Sequence, residues 1–117
     1  MTQEAVVEYQ QSAGWRLIES ITDRAARIEQ AFAEQVASIA EVRQVYSLLA
    51  HGVLRFWVVL DAENREPEYQ VYTAQGEMYR QFDAPKLDFL ILNQRDFDDE
   101  SVKEIIPSES RRIFPTP

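Results

Sequence analysis

The chain has 117 residues, enough for one ordinary domain, and 45% of them are hydrophobic, so a core of normal size can form. Its 20 acidic and 12 basic residues give a formal net charge of −8, which disfavours general binding to nucleic acids and anionic membranes because both are negatively charged. The absence of cysteine excludes disulfides, thiolate metal ligands and thiol nucleophiles.

The sequence shows no secretory signal and no membrane-spanning stretch, which favours a cytoplasmic location. The first residues carry acids and no basic leader, unlike a secretory signal. No apolar stretch reaches the roughly 18 residues needed to cross a bilayer. We therefore expect a cytoplasmic protein of bacterial type without a membrane anchor.

A long amphipathic helix is predicted from Trp15 to Ile39, because apolar residues recur there at helical spacing. Residues 1–14 carry a weaker apolar stripe, and Gly14 interrupts or kinks the helix. We assign residues 1–14 to a helical or frayed extension and residues 15–117 to a single α+β domain.

Three strands are predicted next. Residues 42–50 are rich in β-branched and aromatic side chains, and residues 53–60 are apolar at every position but Arg55. His51 and Gly52 separate the two runs by a tight turn, which indicates an antiparallel hairpin. Residues 87–92 form the third buried strand.

The segment between the second and third strands is ambiguous. Residues 68–73 have the composition of a strand, but Pro67 suits the first turn of a helix, and aromatic residues follow at helical spacing. We favour a helix over residues 66–82, although Gly76 weakens it. Residues 101–106 are predicted as a short helix ended by Pro107.

The predicted fold is therefore α+β. A long N-terminal helix precedes a three-stranded mixed sheet in helix-strand-strand-helix-strand order, and a short C-terminal helix follows.

No complete catalytic set is present, and we predict no cofactor and no metal site. The lone His51 beside Gly52 is interpreted as a turn residue. The acidic run at residues 96–100 lacks the glycine of a calcium loop and is interpreted as a solvated loop that caps the following helix. The larger aromatic side chains are assigned to the core rather than to a base-stacking pocket. They are Trp57, Tyr69, Tyr72, Tyr79 and Phe82.

The element order resembles the minimal nucleotidyltransferase fold, a family of small α/β domains often paired with a helical partner in bacterial toxin–antitoxin modules. In that family a first strand ends in Gly-Ser, the second strand opens with Asp-x-Asp, and a third strand carries one more Asp. The three carboxylates hold magnesium for nucleotidyl transfer. Here the Gly-Ser site falls at His51 and Gly52, the Asp-x-Asp positions fall at Leu54 and Phe56, and only Asp88 matches a carboxylate.

The resemblance spans roughly residues 15–114, including a C-terminal phrase similar to the short helix and closing strand that end such domains. It implies a degenerate, non-catalytic member, because one carboxylate cannot replace a three-carboxylate magnesium cage. We expect a binding or regulatory domain that acts on a protein partner, and the candidate contact residues are His51, Gly52, Arg55 and Asp88.

Two alternatives remain open at this stage. One is a metal-dependent nucleotidyltransferase or other nucleotide-using enzyme with an unconventional site, formed by His51 with Asp61 or Asp88. The other is a structural homodimer that forms through surplus apolar area on the long first helix.

Overall fold

The computed structural model describes residues 20–116 in full and the backbone alone at residues 6–7, 10–11, 14–15 and 19. The backbone described before the first helix lies in four two-residue strands: β1 (Val6–Val7), β2 (Gln10–Gln11), β3 (Gly14–Trp15) and β4 (Glu19–Ser20). β1 pairs with β4 and β2 with β3, both antiparallel. The rest of the extension predicted at residues 1–14 lies outside the described residues.

The first helix, α1 (Ile21–Val36), begins six residues later than predicted, since Trp15 lies in β3. Ser20 has an extended backbone, and its hydroxyl oxygen accepts a hydrogen bond from the Asp23 N–H at 3.0 Å. This N-cap satisfies a backbone donor at the start of the helix. The cap therefore sets the boundary, whereas apolar spacing alone extended the helix too far.

The central sheet has four strands, not the predicted three: β5 (Val42–Ala50), β6 (Val53–Leu60), β7 (Lys86–Asn93) and β8 (Arg111–Phe114). Its order is β7-β6-β5-β8; β6 and β7 are parallel, and the other pairs are antiparallel. The three predicted strands are confirmed. β8 lies within the C-terminal phrase that was compared with a closing strand, but it was left out of the predicted sheet because only Ile113 and Phe114 are apolar in it, too few to show strand alternation.

The hairpin turn between β5 and β6 is confirmed. His51 has φ 55° and Gly52 has φ 76°. Positive φ at both central residues is typical of the type I′ turn, whose twist matches that of the strands it joins.

Two further helices complete the domain. α2 (Glu66–Gln81) connects the parallel strands β6 and β7, so the helix prediction for this segment is confirmed and its strand alternative is wrong. α3 (Asp99–Ile105) follows β7, and the Asp98 carboxylate accepts a hydrogen bond from the Ser101 N–H at 2.8 Å. Asp98 therefore caps a short helix, as predicted, but α3 begins at Asp99 rather than at residue 101, so Asp99 and Glu100 lie in its first turn and not in a loop.

The core occupies both faces of the sheet. On one face α1 and α2 cover the sheet around a cluster of Phe32, Phe56 and Phe89, whose ring centroids lie 4.8–5.0 Å apart. On the other face the smaller α3 packs against Trp57 and other residues of the sheet. None of the helices in the described part of the chain is long and apolar enough to cross a membrane.

Candidate functional site

The structure joins two of the four predicted contact residues. Arg55 of β6 lies opposite Asp88 of β7, and the Arg55 Nε is 3.0 Å from the Asp88 carboxylate. Both side chains are more than half exposed. His51 and Gly52 lie in the exposed hairpin turn at the same end of the sheet. Asp88 is therefore neutralised by an arginine on an exposed face.

The three positions that the resemblance assigns to carboxylates lie on two faces of the sheet. Leu54 and Phe56 are fully buried beneath α1 and α2. Asp88 pairs with Arg55, which lies between them in β6 and points to the opposite face. Side chains at these three positions do not converge, so they could not hold one metal ion together.

In the form with His51 and Asp61, the alternative enzyme site lacks a common centre. His51 precedes β6 and Asp61 follows it, and eight residues at about 3.3 Å each separate the two ends. Asp61 lies 3.5 Å from Arg43 instead. Within the described residues, no group of three or more His, Cys, Asp or Glu side chains could hold a metal ion.

The homodimer contact expected on the first helix would need exposed apolar area on α1. Three large apolar side chains of α1, Ile28, Phe32 and Val36, have no exposed surface. They form the core against the sheet and α2. The side chains of Trp15 and Ile18, which belonged to the predicted helix, lie outside the described residues.

Three of the aromatic residues assigned to the core are exposed. Tyr69, Tyr72 and Tyr79 of α2 are 57%, 51% and 55% exposed, whereas Trp57 is buried as predicted. The α2 residues that contact the core are Val71, Ala74 and Met78, which form a neighbouring stripe of the same helix. Helical spacing alone did not separate the two stripes.

Tyr72 and Tyr79 lie beside β7, an edge strand of the sheet. Residues 89–92 of this strand are all apolar, and Leu90 is 46% exposed. Apolar residues at an unprotected edge favour pairing with another strand. Its only charged residues, Lys86 and Asp88, lie at its beginning.

The direction of the β7 backbone groups follows from its hydrogen bonds. The Gln94 N–H donates to the Leu60 carbonyl at 2.7 Å, so Gln94 faces β6. Because backbone groups alternate in direction along a strand, Leu90 and Leu92 also face β6, whereas the odd-numbered residues 87–93 face away from the sheet.

Two of the outward residues have free backbone groups. The Leu87 carbonyl accepts a hydrogen bond from the Tyr79 hydroxyl at 3.3 Å, and the Asn93 carbonyl accepts from the N–H groups of Asp96 and Phe97. Between them, the outward groups of Phe89 and Ile91 have no hydrogen-bond partner among the described residues. They offer two donors and two acceptors to an added strand.

α2 forms one wall of a groove along this edge. The Tyr79 ring packs edge-on against the Phe89 ring, and their centroids are 5.6 Å apart. Burial, with a smaller contribution from the Asp88 charge, raises the pKa of Tyr79. Tyr72 and Gln75 line a cavity of about 260 Å³ with the middle of β7. The groove therefore combines aromatic side chains with free backbone groups.

A buried polar cluster holds α2 against the end of β7. The Asn93 amide donates to Glu68 at 2.9 Å, and its oxygen accepts from the N–H groups of Ala62 and Arg95, both at 3.2 Å. Arg65 donates to both Glu68 oxygens at 3.0 and 3.1 Å. The hydrogen bond from Asn93, followed by those from Arg65, lowers the pKa of Glu68. This cluster fixes the shape of the groove.

Two larger cavities each contain a polar contact between two of their own lining residues. One, of about 620 Å³, lies between β5 and α3, where the Gln94 side chain donates to Asp99 at 2.6 Å. The other, of about 430 Å³, lies between α1 and β8, where Glu29 bonds Arg111. Neither directs an unpaired buried polar side chain at a ligand, since every buried side-chain polar atom in the described residues has a partner.

The comparisons with known proteins found no matching family model, no matching curated protein and no matching solved structure. The functional assignment therefore depends on the geometry of the chain itself. The surface formed by β7 and the exposed tyrosines of α2, called here the β7 edge, is its strongest candidate site.

Sequence reasoning missed the β7 edge, although one signal for it was present in α2. Residues 87–92 (LDFLIL) were interpreted as a buried strand, and the place of this strand at the sheet edge depends on its pairing with β6, about 33 residues earlier in the chain. Tyr72 and Tyr79 directly follow the core residues Val71 and Met78 in the chain. A helical projection of α2 would have separated the two stripes.

Proposed function

We propose that the protein is a non-catalytic binding or regulatory domain that takes up an extended segment of a protein partner at the β7 edge. The observation that carries this proposal is that the outward backbone groups of Phe89 and Ile91, beside exposed tyrosines, have no partner among the described residues. Addition of a strand to an open sheet edge is a common mode of peptide recognition, in which backbone hydrogen bonds give affinity and neighbouring pockets give specificity.

The composition of the surface supports a protein partner. Tyrosine is enriched in protein interfaces because it offers a large apolar ring and one polar group. Tyr69 and Tyr72 have ring centroids 6.3 Å apart, and both are exposed. The net charge of −8 disfavours a nucleic acid as the occupant of this groove.

The nucleotidyltransferase-like arrangement remains part of the proposal. It is supported by the order of helix, hairpin, helix and parallel strand, and by β8, which occupies the place of the closing strand. The proposed role is that of a scaffold without the metal chemistry, acting in the cytoplasm. Arg55 and Asp88 lie on the sheet face next to the β7 edge and are proposed as its margin.

Site-specific photo-crosslinking tests the binding function. A photoreactive residue replaces Tyr72 at the β7 edge or, as a matched control, Gln70, which faces the α1 side of α2. Each protein is also made with Leu90→Lys, which places a charge on the exposed part of the edge. Crosslinking is done in the native host, and mass spectrometry identifies the linked peptide.

We expect position 72 to link to one defined protein segment and position 70 not to do so. The link should disappear in the Leu90→Lys protein while its circular dichroism spectrum stays unchanged. Equal linking at positions 70 and 72, or linking that Leu90→Lys does not affect, would contradict the proposal.

A further inference from the structure

We infer that the β7 edge binds a second copy of this chain, with the two β7 strands antiparallel about a twofold axis at Leu90. This inference depends on the proposed function, because it names the partner of the same edge. In this dimer the two copies contact each other through the β7 edge and not through α1, where the homodimer contact was expected from the sequence.

The free backbone groups are self-complementary about this axis. A twofold axis at Leu90 places Phe89 of one copy opposite Ile91 of the other, and the reverse. Opposed residues that face each other in an antiparallel pair exchange two hydrogen bonds. The two pairs would use the two free N–H groups and the two free carbonyl groups that Phe89 and Ile91 offer in each copy.

Neighbouring registers are less favourable. An axis at Phe89 would pair Ile91 with Leu87, whose carbonyl already accepts from Tyr79. An axis at Ile91 would pair Phe89 with Asn93, whose carbonyl already accepts from two N–H groups. Each of these registers pairs one free residue with its own copy and the other with a residue whose carbonyl is already bonded, whereas the register centred on Leu90 pairs both Phe89 and Ile91 with residues whose outward groups are free among the described residues.

The side chains agree with this register. Leu90 lies opposite Trp57 in the sheet, and about half of its surface is exposed. At the axis, Leu90 would meet its own copy on the same face of the joined sheet. The charged residues of β7 lie away from the axis, since Asp88 would face Leu92 of the second copy.

The exposed tyrosines also fit an antiparallel neighbour. The same axis places the two α2 helices on one face of the joined sheet, running in opposite directions. Tyr72 and Tyr79 lie on the β7 side of α2. The tyrosines of the two copies would therefore line the joined edge from both sides.

A charge-swap experiment tests the axis at Leu90. Wild type, Leu90→Lys, Leu90→Glu and an equimolar mixture of the two variants are studied by sedimentation velocity over a concentration series. Gln70→Lys and Gln70→Glu on the other side of α2 serve as controls. We expect wild type and both controls to dimerise, and each Leu90 variant alone to dimerise about a hundredfold more weakly, because like charges would meet at the axis.

The mixture decides the outcome. A heterodimer of Leu90→Lys with Leu90→Glu, restored to within about tenfold of the wild-type affinity by opposite charges at one point, supports the inference. No restoration, a monomeric wild type at high concentration, or a dimer insensitive to Leu90 would overturn it. If the variants do not fold, amide exchange of wild type serves instead: protection of Phe89 and Ile91 that rises with concentration supports the inference, and its absence overturns it.

The two proposals fail in distinguishable ways. A monomeric wild type whose position 72 links to another protein in a Leu90-dependent manner overturns the second copy and leaves the binding function. The absence of any Leu90-dependent link, whether to another protein or to a second copy, removes both.

Discussion

The two edges of the central sheet differ in length, charge and covering. β8 has four residues and begins with Arg111 and Arg112. Arg111 is bonded to Glu29 of α1, which fastens this edge to the helix layer. β7 has eight residues and an apolar middle, and within the described part of the chain the outward backbone groups of Phe89 and Ile91 have no partner. Short, charged edges discourage strand addition and long apolar edges permit it, so the sheet is open to a further strand at β7.

Each edge is held by a buried glutamate that a more exposed arginine neutralises. At β8, Glu29 accepts hydrogen bonds from Ser47 and Arg111. At β7, Glu68 accepts from Asn93 and Arg65. The first cluster attaches an edge strand directly, whereas the second positions the helix beside an edge strand. Changes in the second cluster should therefore alter binding as well as stability.

The largest expected effect is that of Asn93→Ala. It removes three hydrogen bonds and leaves the Ala62 N–H and a Glu68 oxygen without that partner, so we expect a loss of about 3 kcal/mol in the free energy of unfolding. Urea denaturation measures the loss, and Gln75→Ala in the groove is the control. A loss below about 1 kcal/mol would show that the cluster does not hold this edge.

A smaller loss is expected from Glu29→Ala at the other edge. Ser47 and Arg111 would lose their shared acceptor, but Arg111 is mostly exposed and can be solvated, so we expect about 2 kcal/mol. Glu34→Ala on the exposed side of α1 is the control. Binding at the β7 edge should be unaffected. If it falls together with stability, the two edges do not act independently.

The pH dependence of Glu68 sharpens the comparison further. Its pKa in the folded protein is lowered from the ordinary value of 4.5, so its stabilising contribution is present above that pH and is lost as the pH falls through the folded pKa. Glu68→Gln should therefore lower the free energy of unfolding at neutral pH. On acidification, the free energy of unfolding of this variant should fall less than that of the wild type. Urea denaturation at several pH values compares the two proteins. If the free energies of unfolding of the two proteins change equally with pH, the carboxylate of Glu68 does not supply the pH-dependent stabilisation.

The smallest effect is expected from Arg55→Ala. The Arg55–Asp88 ion pair is more than half exposed on both sides, and such pairs contribute about 0.5 kcal/mol or less. Thermal denaturation of Arg55→Ala and Asp88→Asn should show little change. A loss near 2 kcal/mol would give this pair a structural importance that its exposure does not indicate.

The sequence predicted those elements whose signals are local. β5 and β6 were found with their full bounds, because their apolar runs flank the His51–Gly52 turn, and α2 was found from Pro67 and its periodicity. β8 was missed because it is stabilised by pairing with β5 and by Arg111 with Glu29, 82 residues apart in the chain. Such long-range contacts leave no pattern within either segment.

The candidate site was predicted only in part for the same reason. Arg55 and Asp88 were named without their ion pair, which depends on the parallel register of β6 and β7. The β7 edge itself depends on the strand order. No local composition distinguishes an apolar edge strand from an apolar central strand, so residues 87–92 were assigned to the interior.

Amide hydrogen exchange of β7 tests the central claim most directly. Phe89 and Ile91 face outward, whereas Leu90 and Leu92 face β6 and serve as internal controls in the same strand. We expect the Phe89 and Ile91 amides to exchange rapidly in dilute protein and to become protected at high concentration or with the crosslinked partner, while the controls stay protected throughout. Rapid exchange of Phe89 and Ile91 under all of these conditions would contradict strand addition at the β7 edge.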